Sequence, residues 1–218
     1  MTKRIIDLSH RLEPATPVYP NYQPFHLEVL ETTEDQPNKG RRSLNSSRIG
    51  IGMHCGTHMD SPFHFISGGR AIDQVPLEQC VGPCLLIRLP DRARGRMIEM
   101  RDMEKHAAQL RELRKVVLDT GWGENWGNSS YFSEHPMISG AAAKFLVDYG
   151  VHLVGVDMPS VDCPPFEAHL ELLRHETVIL ENLTNLEQIQ SDVFKLIALP
   201  LKLNALEASP VRAIAVEI

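Results

Sequence analysis

The sequence predicts a single-domain α/β protein, and three observations carry that prediction. Apolar runs rich in β-branched residues alternate with stretches of helical period along the chain. A well-marked helix at residues 140–149 passes directly into an apolar strand at 151–157, the step from which α/β domains are built. No repeat, low-complexity tract or composition break divides the 218 residues, so residues 1–218 read as one domain.

Taken in order, strands are expected at 4–8 (Ile5, Ile6), 48–54 (Ile49, Ile51), 84–89 (Leu85-Leu-Ile87) and 116–120 (Val116-Val-Leu118). Four more are expected at 151–157 (Val151, Val154, Val156), 177–181 (Val178-Ile-Leu180), 194–200 (Leu196, Ile197) and 211–217 (Ile214, Val216). Helices are expected at 101–113, 140–149 and 167–174. The second is the best marked, with Ser139 placed as N-cap and Gly150 as the stop. Long Pro- and Gly-rich connections at 13–24, 32–47 and 121–136 are of a length more often functional than idle.

Hydrophobic residues make up 43% of the chain, which allows a sizeable core. The net charge of −6 argues against nucleic-acid binding, which needs a concentrated basic surface. Arg41-Arg42 and Arg92-Ala-Arg94-Gly-Arg96 are short basic clusters among turn residues and read as solvated loops. No stretch approaches the ~20 apolar residues of a membrane span, so no membrane partner is expected. Met1-Thr-Lys-Arg-Ile-Ile-Asp7 reaches an acidic residue too early for a signal peptide, and a cytoplasmic location is expected. Four cysteines are too few for a disulfide scaffold of this size. Cys80 and Cys84 have loose zinc-knuckle spacing but no matching second pair, and ordinary packing is the better reading.

The chemistry concentrates in His54-Cys-Gly-Thr-His58-Met-Asp60-Ser-Pro-Phe-His64, where three of the chain's ten histidines fall beside an Asp. Imidazole and carboxylate are the common ligands of zinc and manganese. On a helix these four side chains would fan over about 160°, and Gly56 and Pro62 oppose a helix. Every spacing is even, so an extended chain points all four to one side. Full extension would hold His54 and His58 about 13 Å apart, too far for one ion. The backbone must bend between them, and Gly56 is the residue that permits it. The segment therefore reads as the end of a strand running into a curved loop. His64 is open to two roles, third ligand or acid–base group.

This segment resembles the His-x-Gly-Thr-His-x-Asp-x-Pro-x-His signature of the cyclase family of metal-dependent hydrolases, which includes bacterial kynurenine formamidase (arylformamidase) and isatin hydrolase. All seven fixed positions are met, at His54, Gly56, Thr57, His58, Asp60, Pro62 and His64. The resemblance extends over nearly the whole chain. It takes in Ile6-Asp-Leu-Ser9, Pro17-Val-Tyr-Pro20, Thr120-Gly-Trp122, Gly155-Val-Asp-Met-Pro-Ser-Val-Asp162, His169 with Glu181-Asn-Leu183, and Pro210-Val-Arg-Ala213.

The resemblance implies an α/β fold with a mixed β core and flanking helices, of the swivelling β/β/α type, assembled as a homodimer or homotetramer. It also implies two divalent metal ions, Zn or Mn. His54, His58 and Asp60 would hold one ion and His169 the second, with Asp60 and Glu181 as bridging carboxylates and His64 as the proton shuttle. Such a site suits hydrolysis of a C–N bond in a small-molecule formamide or lactam. Tyr19, Phe63 and Trp122, with Trp126 and Tyr131, are candidates for an aromatic substrate pocket. Bacterial kynurenine formamidases typically carry Trp where Tyr19 stands, followed by Pro-Gly, whereas here Asn21 replaces the glycine. Two other readings keep the ligands but change the use: cyclisation or dehydration, and a non-catalytic metal-binding scaffold.

Overall fold

The computed structural model describes residues 4–33, 44–89 and 95–217. The first half of the chain contributes β1 (Ile5–Asp7), β2 (His26–Glu31), β3 (Ser46–Gly50), β4 (His58–Asp60), α1 (Leu77–Cys80) and β5 (Val81–Arg88). Next come β6 (Met97–Ile98), α2 (Ala107–Leu113), β7 (Lys115–Asp119), β8 (Met137–Ile138), α3 (Gly140–Asp148) and β9 (Leu153–Val156). The last are α4 (Glu167–Arg174), β10 (Val178–Glu181), β11 (Val193–Ile197), β12 (Ala208–Pro210) and β13 (Ile214–Val216).

Among the described residues, nine strands form one mixed sheet in the order β1-β13-β11-β5-β7-β9-β10-β4-β12. The run β5-β7-β9-β10 is parallel and every other pairing in the sheet is antiparallel. Alternate residues of the central strands enter opposite cores, as the period of two requires. Leu85, Val116, Leu118 and Val154 pack under Leu110 of α2, Leu146 of α3 and Leu172 of α4. Leu86, Val117 and Leu180 face the other way, into a cluster shared by Ile6 of β1 and Met59 of β4. Strands from opposite ends of the sheet meet in that second cluster, so the sheet curls over its own face. This is the α/β fold that the sequence predicts, with the mixed β core and flanking helices that the family resemblance implies.

The helix at 140–148 keeps both its signals: Ser139 Oγ accepts the Ala142 N–H at 3.1 Å, and Gly150 turns the chain at φ +75°. The expected helix at 101–113 is shorter, because two 3₁₀ turns (Met100–Asp102 and Glu104–His106) precede α2. The expected strand at 48–54 also differs. β3 ends at Gly50 and pairs only with β2, in a hairpin whose residues are mostly exposed. Strands β2, β4, β6, β8 and β12 were not expected: β4, β6, β8 and β12 are only two or three residues long, whereas β2 does carry alternation, at Leu27 and Val29. Cys80 and Cys84 are buried in the second cluster and pack as ordinary core residues. Arg41, Arg42, Arg92 and Arg94 lie outside the described residues. Among the described residues no helix is long and apolar enough to cross a membrane.

Candidate metal centre

The centre is built by a turn feeding a three-residue strand, the reverse of the expected order. Gly56 has φ +67°, a conformation glycine takes without strain, and a Cβ built there would lie 2.5 Å from Leu12 Cδ2 and displace that side chain. That bend brings the His54 and His58 rings to 5.0 Å between centroids. In β4, Met59 enters the core while His58 and Asp60 face the opposite way. Antiparallel pairing with β10 sets Glu181 across from His58. α4 places His169 against the other oxygen of Glu181.

The donor atoms converge. His54 Nδ1 lies 3.0 Å from Asp60 Oδ1 and His58 Nε2 lies 3.5 Å from the same oxygen. Glu181 divides its carboxylate: Oε2 is 3.4 Å from His58 Nε2, and Oε1 is 3.7 Å from His169 Nε2. Yet among the described residues His58 Nε2 and both Asp60 oxygens, all buried, make no well-formed hydrogen bond, their near polar neighbours being one another, His54 and Glu181. A buried polar atom without a partner costs about 1–3 kcal/mol, and more when charged. The donor set suits a borderline cation such as zinc or manganese, and each of these atoms is aimed where a cation would complete it.

Groups behind the donors fix their aim. His58 Nδ1–H donates to the Gly56 carbonyl at 2.9 Å, leaving Nε2 with its lone pair toward the carboxylates. His169 Nδ1–H donates to Asp162 Oδ1, with the same result. Glu181 Oε1 accepts the Val161 N–H at 3.0 Å. Asn182 donates from Nδ2 to the Gly56 carbonyl and accepts at Oδ1 from the Tyr131 hydroxyl, tying the turn to the end of β10. Asp162 and Asn182 stand inside quoted motifs, but only the three-dimensional contacts reveal what they hold.

Without a cation, the carboxylates around His58 favour a proton on Nε2, the position a metal ion would take in its place. Burial lowers the His58 pKa, but the Asp60 and Glu181 carboxylates outweigh it and raise the imidazole to about 9. Burial pushes Asp60 up, but the neighbouring His54 and His58 charges hold it well below the usual carboxylate range. Burial drives His64 down to about 4 against the pull of Asp60, so its ring is neutral at pH 7. The His64 ring sits 4.2 Å from that of His54, and His54, Asp60 and His64 form a second compact group of potential ligand atoms. Geometry therefore admits both roles for His64.

Residues 6–163 match the cyclase family model, described as "Putative cyclase". The chain belongs to the cyclase family. Within that family it is 33% identical over 219 residues to a kynurenine formamidase of Bacillus anthracis, covering 98% of this chain and 97% of that one. A kynurenine formamidase of Geobacillus thermodenitrificans is 34% identical, with 95% of each chain covered. A crystal structure of an isatin hydrolase bound to the product analogue thioisatinate superposes with a TM-score of 0.85 at 22% identity, over 98% of this chain and 92% of that one. Isatin hydrolase A from Labrenzia aggregata gives 0.82 at 24% identity, over 99% and 94%. These structural likenesses show a shared fold.

In this cyclase-family chain the donors floor a pocket of about 260 Å³. Tyr19, Tyr22, Phe65, Phe132 and Phe166 are its aromatic lining. The Tyr19 hydroxyl donates to His135 Nε2 at 3.4 Å, since His135 Nδ1–H is held by the Pro136 carbonyl. Asn21 takes φ +72°, the conformation that the glycine of the family relatives would adopt without strain. Phe63 and Trp122 do not reach the pocket. Phe63 is 43% exposed on the 3₁₀ turn beside His64, and the next odd position, Phe65, supplies the wall instead. Trp122 is 1% exposed in the main core, its Nε1–H donating to the Tyr131 carbonyl. Trp126 stacks on His10 at 3.9 Å. Sequence reasoning assigned these rings by type alone, and periodicity inside irregular loops carries no facing information.

Proposed function

We propose that this chain is a metal-dependent, arylformamidase-like hydrolase cleaving a C–N bond of a small aromatic formamide, amide or lactam. His54, His58, Asp60, His169 and Glu181 hold two divalent cations, Zn²⁺ or Mn²⁺, and His64 moves protons. One observation carries the reading: His58 Nε2 and the Asp60 oxygens, without a well-formed hydrogen bond, lie at the floor of an aromatic pocket. Relatives named kynurenine formamidase, alike over nearly their full length, and isatin hydrolases of the same fold support the reaction class.

Bound there, divalent cations lower the pKa of water and stabilise negative charge developing on a carbonyl oxygen. The protein does the rest. Phe65, Phe132 and Tyr19 hold the aryl ring and exclude solvent from the reacting bond. His64, neutral at pH 7, accepts the proton lost by water as its oxygen bonds to the carbonyl carbon. It then returns that proton to the departing nitrogen as the C–N bond breaks, leaving an acid and an amine.

The test is product release from an aryl formamide, a lactam such as isatin and an aryl ester, with and without chelator. C–N cleavage that chelation stops and Zn²⁺ or Mn²⁺ restores is the expected result. No C–N turnover by ion-loaded protein, or turnover indifferent to chelation, would refute it. Loss of water from the substrate, instead of its addition, would point to the dehydratase chemistry of the same ligands.

A further inference from the structure

We infer that Asp162 is a positioning residue that sets the tautomer of His169 and at the same time caps the helix carrying it. The inference rests on the proposed role of His169 as a ligand. The Asp162 side chain is buried and its two oxygens are divided between two tasks. Oδ2 accepts the backbone N–H groups of Ala168 at 2.6 Å and His169 at 3.2 Å, at the start of α4. Oδ1 accepts the His169 Nδ1–H.

The capping task falls to Asp162 because the residue at the N-cap position cannot do it. Phe166 occupies that position at φ +63° and has no side-chain oxygen to offer the first N–H groups of the helix. A carboxylate four residues upstream supplies the acceptor instead. The orienting task follows from proton counting. A neutral imidazole carries one N–H. With that N–H at Nδ1, pinned on a carboxylate that can only accept, Nε2 keeps its lone pair toward Glu181 Oε1, 3.7 Å away. An ion can use Nε2 only in this tautomer. One carboxylate thus joins the fold of α4 to the chemistry of its inward face.

The isosteric change Asp162→Asn separates the two tasks. An amide has a single acceptor oxygen. The N–H groups of Ala168 and His169 require that oxygen for the cap, and Asn caps about as well as Asp. The NH₂ group is then left facing His169, donates to Nδ1 and forces the proton onto Nε2, where it obstructs an ion. The expected results are a metal-free melting temperature within about 3 °C of wild type and a Kd for Zn²⁺ about 10–100-fold weaker, measured by chelator competition. The ring ¹⁵N shifts of His169 in metal-free protein in alkaline solution should read Nδ1-protonated in wild type and Nε2-protonated in D162N. A D162N protein binding Zn²⁺ as tightly as wild type, while His169→Ala binds it weakly, would overturn the role given to Asp162. An Nε2-protonated His169 in the wild type would overturn it without any variant, even if D162N fails to fold. If His169→Ala leaves Zn²⁺ affinity unchanged, the ligand set itself fails and the positioning role falls with it.

Discussion

The centre of the large sheet and its far side are equally buried and opposite in chemistry. β7 and β9 present Val116, Val117, Leu118, Val154 and Val156, each at zero exposure, to cores on the two faces of the sheet. β4 and β10, two and one strands beyond β9, are as deep but interleave Met59, Ile179 and Leu180 with His58, Asp60 and Glu181. In the centre, these apolar side chains need no partner and the backbone pairs within the sheet. On the far side folding brings donor atoms together and leaves three of them without a well-formed hydrogen bond. Depth is therefore the same in both places, and what distinguishes them is whether the chain can satisfy what it buries.

That contrast can be broken at either end. His58→Ala should give the largest effect: ion content falls on elemental analysis, and turnover drops further than the ~10–100-fold that changes behind the ligands cause. Retained ion content with full turnover would place the chemistry elsewhere. His64→Ala should lower kcat by about 10²–10⁴-fold with ion content intact. If the ion leaves as well, His64 joins His54 and Asp60 as a ligand. Leu118→Ala in the centre should cost about 2–5 kcal/mol in denaturant unfolding, with ions bound per folded chain unchanged. Altered ion stoichiometry there would mean the two regions are not separable. Gly56→Ala sharpens the boundary between them. Forcing a Cβ onto φ +67° costs about 1–2 kcal/mol before Leu12 has to move, so both melting temperature and Zn²⁺ affinity should decline modestly. A stable variant with unweakened affinity would show that the bend does not aim His54 and His58.

The same contrast explains what the sequence made legible. Central strands and α3 announce themselves, because continuous apolar runs and a Ser139-to-Gly150 frame depend on local chemistry. The His54–His64 segment was legible for a different reason: ligand types at even spacing are rare enough to stand out, and the need for a bend at Gly56 followed from distance alone. The order of its parts did not follow, so a turn entering β4 was read as the end of a strand running into a loop. His169 and Glu181 lie more than a hundred residues from His54, and only the family resemblance pointed to them. The antiparallel register of β4 with β10 is the physical cause of the Glu181 approach. The pocket was least legible. Phe65, Phe132 and Phe166 line it while Phe63 and Trp122 do not, a choice made by loop geometry that residue type does not encode.

The most direct measurement is anomalous diffraction from crystals of the full chain soaked in Zn²⁺ or Mn²⁺, recorded at the metal's absorption edge. Density is expected at the floor of the aromatic pocket, ligated by His54, His58 and Asp60 on one side and reaching His169 and Glu181 on the other. Density elsewhere, or an occupied site that His169 and Glu181 do not approach, would contradict the proposed centre.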